Sequence, residues 1–355
     1  MNYMQIVATE NTIYTSPDAS KIFCYTPSIL VTPTGRLIVS FDLGGEGVKS
    51  IEGHKSSRAG GSRFGQGKIF ISDDNGQKWT FVQNFPFWHA RLFTIGNSIY
   101  LIGHAGDICI MKSEDNGESW SDTYFLTHGE KWHSSACNVL FSNGNVYLAM
   151  EQRCRLNEVT GWDVAGLSPT LFRACVEDNL CLASSWSRSE KFIYKEVFDG
   201  AKLDFFGIPF YDCETNKPKE IATGINNAPL GWLEANVVKF VDKDHIWHTD
   251  LKEVFHLFLR AHTGGVNYAH LFKIEIQDDQ SMIPSLEHTP SGQKISYIPF
   301  PGGHLKFFII YDELTRFYWL VSNQATDSMR RVSSLSNIKT VSYTHLRAHE
   351  TLRHL

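Results

Sequence analysis

The chain alternates short extended apolar runs with turns built on Gly or Asn. Residues 25–31 lead into a Thr34-Gly35 turn and return as 37–41, and residues 88–93 turn at Gly96-Asn97 and return as 99–102. Residues 132–136 are followed by Ser142-Asn143-Gly144-Asn145 and the run 146–150; residues 231–236 pair in the same rhythm with 255–260. A last pair spans 301–311 and 317–321, and a less regular unit lies around 172–186. Extended runs bounded by turn residues predict strands joined as antiparallel hairpins. No stretch keeps a helical period, so the chain reads as all-β, in six repeated units.

Two stretches fix the kind of repeat. Ser72-Asp73-Asp74-Asn75-Gly76-Gln77-Lys78-Trp79 and Ser113-Glu114-Asp115-Asn116-Gly117-Glu118-Ser119-Trp120 share the spelling Ser-x-Asp-x-Gly-x-x-Trp. A Ser leaving a strand, an Asp able to bond backbone N–H groups across the turn, and Asn-Gly at positive φ describe a tight hairpin. The Trp opens the return strand with a large apolar face. The two Asp residues are 41 positions apart, the length of one four-stranded propeller blade. Through Ser72, Asp74, Gly76, Trp79, Ser113, Asp115, Gly117 and Trp120 the chain resembles the Asp-box (BNR-repeat) proteins of the sialidase, or neuraminidase, superfamily. That resemblance implies a six-bladed β-propeller and a glycoside hydrolase. The boxes themselves sit outside the blades and bear on fold, not chemistry.

Composition fits one large β unit. Hydrophobic residues make up 42% of the 355 and aromatic residues 13%, with 24 Phe, 13 Tyr and 9 Trp to fill a core. The net charge of −5 leaves no basic footprint and argues against nucleic acid as a partner. No run of about 18 apolar residues argues for a membrane span. The seven cysteines, Cys24, Cys109, Cys137, Cys154, Cys175, Cys181 and Cys213, form no Cys-x-x-Cys pair and read as thiols in a reducing compartment. The first twenty residues lack a basic start and apolar block, so the expected location is cytoplasmic; a secreted or periplasmic one follows if the N-terminus is incomplete. Residues 341–355 are rich in His and Arg, lack alternation and resemble translated adapter sequence. The expected propeller is therefore 1–340, with its last blade incomplete, and 341–355 a non-native tail.

The candidate chemistry lies at the starts of the inner strands, which converge on one mouth of a propeller. Tyr25, His89, Arg91, His133, Glu234, His304 and Lys306 all occupy such positions. Buried unpaired charge costs several kcal/mol by rough estimate, so a ring of polar residues there predicts a solvated mouth that faces substrate. The resemblance assigns roles. Glu234, opening the run Glu234-Ala235-Asn236-Val237, is similar to the family's Glu that serves as base to a tyrosine nucleophile. Arg260, closing Leu257-Phe258-Leu259-Arg260, is similar to one of three arginines that clamp the substrate carboxylate. The stretch 27–42 resembles the one that follows the family's Arg-Ile-Pro motif and runs to an acidic residue beside the pocket. Asp42 is the favoured general acid, with Glu46, Glu52 and His54 on the following loop as alternatives. Tyr25 stands where the family has its first clamp arginine; Arg91 or Lys306 could supply that charge.

Two other signals read as structural. His245-x-x-His248 suggests a polar loop, not a metal site, and Gly44-Gly45-Glu46-Gly47 suggests a mobile pocket loop, not a phosphate cradle. The reading is an exo-acting glycoside hydrolase on a glycan substrate, with no cofactor and no metal and with its oligomeric state open. The alternatives are a non-catalytic carbohydrate-binding propeller and a polysaccharide lyase using His133 or His89 as base.

Overall fold

The computed structural model describes residues 11–57, 64–133, 135–155, 164–197, 205–206, 220–222, 225–226, 231–261, 267–324 and 339–346. They are strand and turn almost throughout, with Tyr194–Val197 the sole α-helical turn among them. No helix among the described residues is long and apolar enough to cross a membrane. The chain divides into two compact units, Met1–Ala136 with Cys175–Trp186, and Cys137–Ala174 with Ser187–Leu355.

The first unit holds two antiparallel meanders. Phe23–Val31, Leu37–Gly44, Phe64–Ser72 and Thr80–Phe85 pair in succession. Trp88–Ile95, Ser98–Ala105, Asp107–Ser113 and Tyr124–Phe125 do the same. Both faces of the first sheet are covered: Ile38, Ile69 and Phe85 join one core with Leu92 and Leu101, while Val39, Phe41 and Phe70 join another. Burial on both faces is why these strands read as unbroken apolar runs.

The two Ser-x-Asp-x-Gly-x-x-Trp stretches link the third and fourth strands of these sheets with one geometry. Ser72 Oγ donates to Asp74 Oδ1 (2.8 Å) and accepts from Gly76 N–H (2.9 Å), and Asp74 Oδ1 accepts from Lys78 N–H (2.8 Å). Ser113, Asp115, Gly117 and Ser119 repeat these bonds at 2.9 Å each. Asn75 and Gly76 have φ of 57° and 80°, Asn116 and Gly117 of 60° and 88°. Trp79 Nε1 closes the first turn onto the Gly76 carbonyl at 3.0 Å. Arg36 ties the turns together, gripping both carboxylate oxygens of Asp73 and reaching the Asn116 carbonyl.

The second unit holds three more meander sheets among the described residues, beside two small sheets of two and three short strands. Leu140–Ser142, Asn145–Arg153, Leu167–Cys175 and Ser187–Arg188 form one; Leu233–Val238, Val254–Arg260, Tyr268–Ile276 and Met282–Ser285 the next; Phe308–Asp312, Phe317–Gln324 and Lys339–Leu346 the last. Tyr147, Trp232, Phe255 and Phe272 anchor one core, and Phe258, Phe300, Phe307 and Leu320 another. Successive first strands are stitched by a polar side chain. Asn138 exchanges two 2.7 Å bonds with the Val237 backbone, and Asn236 takes the Ile309 N–H at 3.0 Å. In the first unit Ser28 does this for Leu92 N–H at 3.0 Å.

Three expectations change. Residues 172–186 are not a unit of their own: Phe172 belongs to the strand Leu167–Cys175, and the following stretch is a turn and a 3-10 segment, Ala183–Ser185. Five meander sheets are seen among the described residues. His304 and Lys306 precede the strand Phe308–Asp312 and lie outside it, His304 in a turn where Gly303 N–H meets the Phe300 carbonyl. The glycines after Asp42 serve close packing, not mobility: Gly45 has φ of 108°, and a Cβ there would lie 2.2 Å from the Lys21 carbonyl oxygen. Lys339–Leu346, part of it in the expected tail, pairs antiparallel with Phe317–Gln324. Residues 347–355, Cys213 and the loop 58–63 lie outside the described residues.

Candidate functional site

Three first strands open with the same irregularity. Pairing skips one residue between Tyr25 and Ser28, between Trp88 and Arg91, and between Leu233 and Asn236. Each is a β-bulge, and the residue after Tyr25, Trp88 and Leu233 is left-handed: Thr26 at φ 48°, His89 at 54° and Glu234 at 59°. A bulge re-aims a side chain out of the pleat, and a non-glycine residue held at positive φ is a mark of function. Directly opposite the residue before each bulge, on the second strand, stand Asp42, His104 and Arg260. Two backbone positions per sheet thus supply Asp42, His89, His104, Glu234 and Arg260.

In the first unit Asp42 reaches across to the next sheet. Its Oδ1 accepts the His89 N–H at 2.9 Å, and its Oδ2 lies 4.0 Å from His89 Nε2. The Asp42 side chain is 1% exposed and that of His89 24%, so the imidazole is the member of the pair that solvent can reach. The His89 ring meets His104 and His133 edge to face, at 5.4 and 5.3 Å between centroids. His104, His133 and Arg91 are buried. An imidazole backed by a carboxylate and reachable from solvent can move a proton near neutral pH.

In the second unit Glu234 and Arg260 face each other, Oε2 to Nη1 at 3.6 Å. That is an ion pair without a hydrogen bond, and Glu234 Oε2 is a buried oxygen with no hydrogen-bond partner among the described residues. Arg260 Nε donates to the His304 carbonyl at 3.2 Å. The His304 ring is buried, and neither of its nitrogens has a hydrogen-bond partner among the described residues. Burial, aided by the Arg260 charge, pushes its pKa down to about 4, so the imidazole is neutral at pH 7. Lys306 is half-buried and makes no ion pair among the described residues. Behind Glu234, the buried carboxylate of Glu151 accepts the Ala235 N–H at 3.0 Å. Orphaned buried polar atoms cost about 1–3 kcal/mol each, so a carboxylate oxygen and an imidazole left this way beside a guanidinium make a ready polar binding site.

The structure thus draws Asp42, His89, Arg91 and His133 into one unit and Glu234, Arg260, His304 and Lys306 into the other. Tyr25 is exposed on its strand and touches neither group of polar atoms by hydrogen bond. Two residues escaped the sequence reading, His104 and Glu151. Each lies seven residues beyond a turn residue, Asn97 and Gly144, as Asp42 lies seven beyond Gly35. That spacing was the available signal.

The residues read as structural are engaged elsewhere. His245 stacks on Phe240 at 3.8 Å and accepts Trp247 N–H, while His248 bonds the Phe240 carbonyl and Asp250.

No protein-family model matches the chain, and no curated protein does. Solved structures do resemble it at low identity. A protein from Dyadobacter fermentans, its function unknown, is 11% identical, with a TM-score of 0.48 over 92% of this chain and 83% of its own. The NanB sialidase of Streptococcus pneumoniae is 10% identical, with a TM-score of 0.47 over 90% of this chain and 55% of its own. The GH93 alpha-L-arabinofuranosidase of Fusarium graminearum is 11% identical, with a TM-score of 0.46 over 91% and 77%. At this similarity none of the three assigns chemistry to the chain.

Proposed function

We propose that the chain is a glycoside hydrolase on a sialidase-like β-propeller, removing a terminal acidic sugar from a glycan in the manner of an exo-alpha-sialidase. The observation that carries this reading is Glu234, held left-handed and half-buried, 3.6 Å from Arg260 and in the same cluster as a neutral buried His304. Arg260 offers a planar fork to a sugar carboxylate. Glu234 takes a proton from a water whose oxygen bonds to the anomeric carbon as the glycosidic bond breaks and the leaving oxygen takes up a proton, while His304 and Lys306 bind sugar oxygens. In the first unit the Asp42–His89 pair is a candidate proton donor of its own, the imidazole being the member that solvent reaches.

The test is a release assay on a mixture of sialylated, uronic and neutral oligosaccharides, with Glu234→Gln alongside. Release of an acidic monosaccharide, abolished in the variant, supports the reading. Release of a neutral sugar keeps the hydrolase and removes the acidic specificity. A product absorbing in the near ultraviolet identifies a lyase, the reading favoured by the three imidazoles grouped around His89. Binding without release identifies a carbohydrate-binding propeller.

A further inference from the structure

Glu151 has no part in the reaction just proposed, yet it occupies a place that matches Asp42. Each carboxylate follows an apolar run on a second strand, 37–41 for Asp42 and 146–150 for Glu151. Each is 1% exposed. Each accepts a backbone N–H at the bulge of the next first strand, His89 at 2.9 Å and Ala235 at 3.0 Å. The two bulges are the ones that hold His89 and Glu234 at positive φ. A left-handed conformation costs a non-glycine residue about 1–2 kcal/mol and persists only where the surroundings over-determine it. An N–H donated to an ionised carboxylate is among the stronger bonds available for that purpose.

We infer that Glu151 is a positioning residue for Glu234. Its carboxylate fixes the Glu234–Ala235 peptide and so the direction in which the Glu234 side chain leaves the strand toward Arg260. The inference rests on the reading of Glu234 as the reacting base, and its tests separate the two.

Glu151→Gln keeps an acceptor for the Ala235 N–H, whereas Glu151→Ala removes it. In the alanine variant kcat falls about 100-fold with KM within about twofold, the loss expected of a misaimed reacting group. The glutamine variant restores most of that turnover. In a Glu234→Gln background the alanine change costs nothing further, because both act through one carboxylate. Losses that multiply in the double variant, or a glutamine variant as poor as the alanine one, overturn the inference. Hydrogen exchange at the Ala235 amide gives a readout that needs no substrate. It is slow in the wild type and Glu151→Gln and at least about tenfold faster in Glu151→Ala, with the melting of both variants followed beside it. If no glycan is turned over, the hydrolase reading fails, and this exchange decides the matter alone: unchanged exchange in Glu151→Ala overturns the positioning role. If Glu151→Ala does not fold, Glu151→Asp, which draws the acceptor back by one methylene, takes its place in both measurements.

Discussion

The bulge at His89 and the bulge at Glu234 have the same backbone and opposite chemistry. Both skip one residue of pairing, both hold a left-handed residue, and both are capped from the preceding sheet by a buried carboxylate. Around His89 the neighbours are imidazoles in ring contact, His104 and His133. Around Glu234 they are the Arg260 guanidinium and the neutral His304 imidazole, whose ring nitrogens have no hydrogen-bond partner among the described residues. The backbone supplies the position and the side chain placed there supplies its chemical character. Thr26, the third left-handed residue, has the geometry without the chemistry.

The sharpest way to break the comparison is at the two left-handed residues themselves. Glu234→Gln lowers turnover by about 1000-fold or more and His89→Gln by about 100-fold, the range for losing a reacting base and a general acid. Thermal melts of both variants stay near the wild type. A larger loss at His89 than at Glu234 would reverse the ranking of the two clusters.

Acid pH tests the buried imidazoles next. His304 has its pKa at about 4 against an ordinary 6.5, and burial pushes His270, bonded to Ser296, down to about 3. Between each lowered value and the ordinary 6.5 the unfolded chain binds more protons than the folded one. Stability is therefore complete above about pH 6.5 and falls as the pH drops toward 4, by about 3 kcal/mol for His304. His304→Gln flattens that limb in urea titrations at several pH values. An unchanged slope means that the ring is protonated, or solvated, in the folded chain.

Arg260→Lys separates a fork from a point charge. Binding of an acidic sugar weakens by about 10- to 100-fold, seen in KM more than kcat. The two Asp turns set the scale for structure without function. Asp74→Ala and Asp115→Ala each lower the midpoint of denaturant melts modestly, with turnover unchanged. Least of all, Thr26→Gly relieves a β-branched residue at φ 48° and stabilises by up to about 1 kcal/mol. A destabilised Thr26→Gly would mean that the bulge is not strained.

Much of the fold was legible because strand runs and Gly or Asn turns are local signals. The sheets begin and end close to where residues 25–31, 37–41, 88–93, 99–102 and 146–150 placed them. Residues 172–186 misled because the end of a buried third strand and the turn after it look like a hairpin of their own. The chemistry was legible as polar residues at strand starts, Tyr25 and Glu234 among them, with the role of Glu234 implied by the family resemblance. What distinguishes them is the left-handed bulge, and Thr, His and Glu do not announce positive φ as glycine does. His104 and Glu151 were missed because each is a single polar residue in an apolar strand, and its partner lies on another strand or in the next sheet. Lone residues of that kind gain meaning only once strand pairing is known.

The measurement that bears most directly on the account is calorimetric titration of glucuronate and of glucose into the wild type and into Arg260→Ala. The account predicts that the wild type binds the acidic sugar in preference to the neutral one, and that Arg260→Ala loses the preference while still melting cooperatively. Equal binding of the two sugars, or a preference that survives Arg260→Ala, would contradict it.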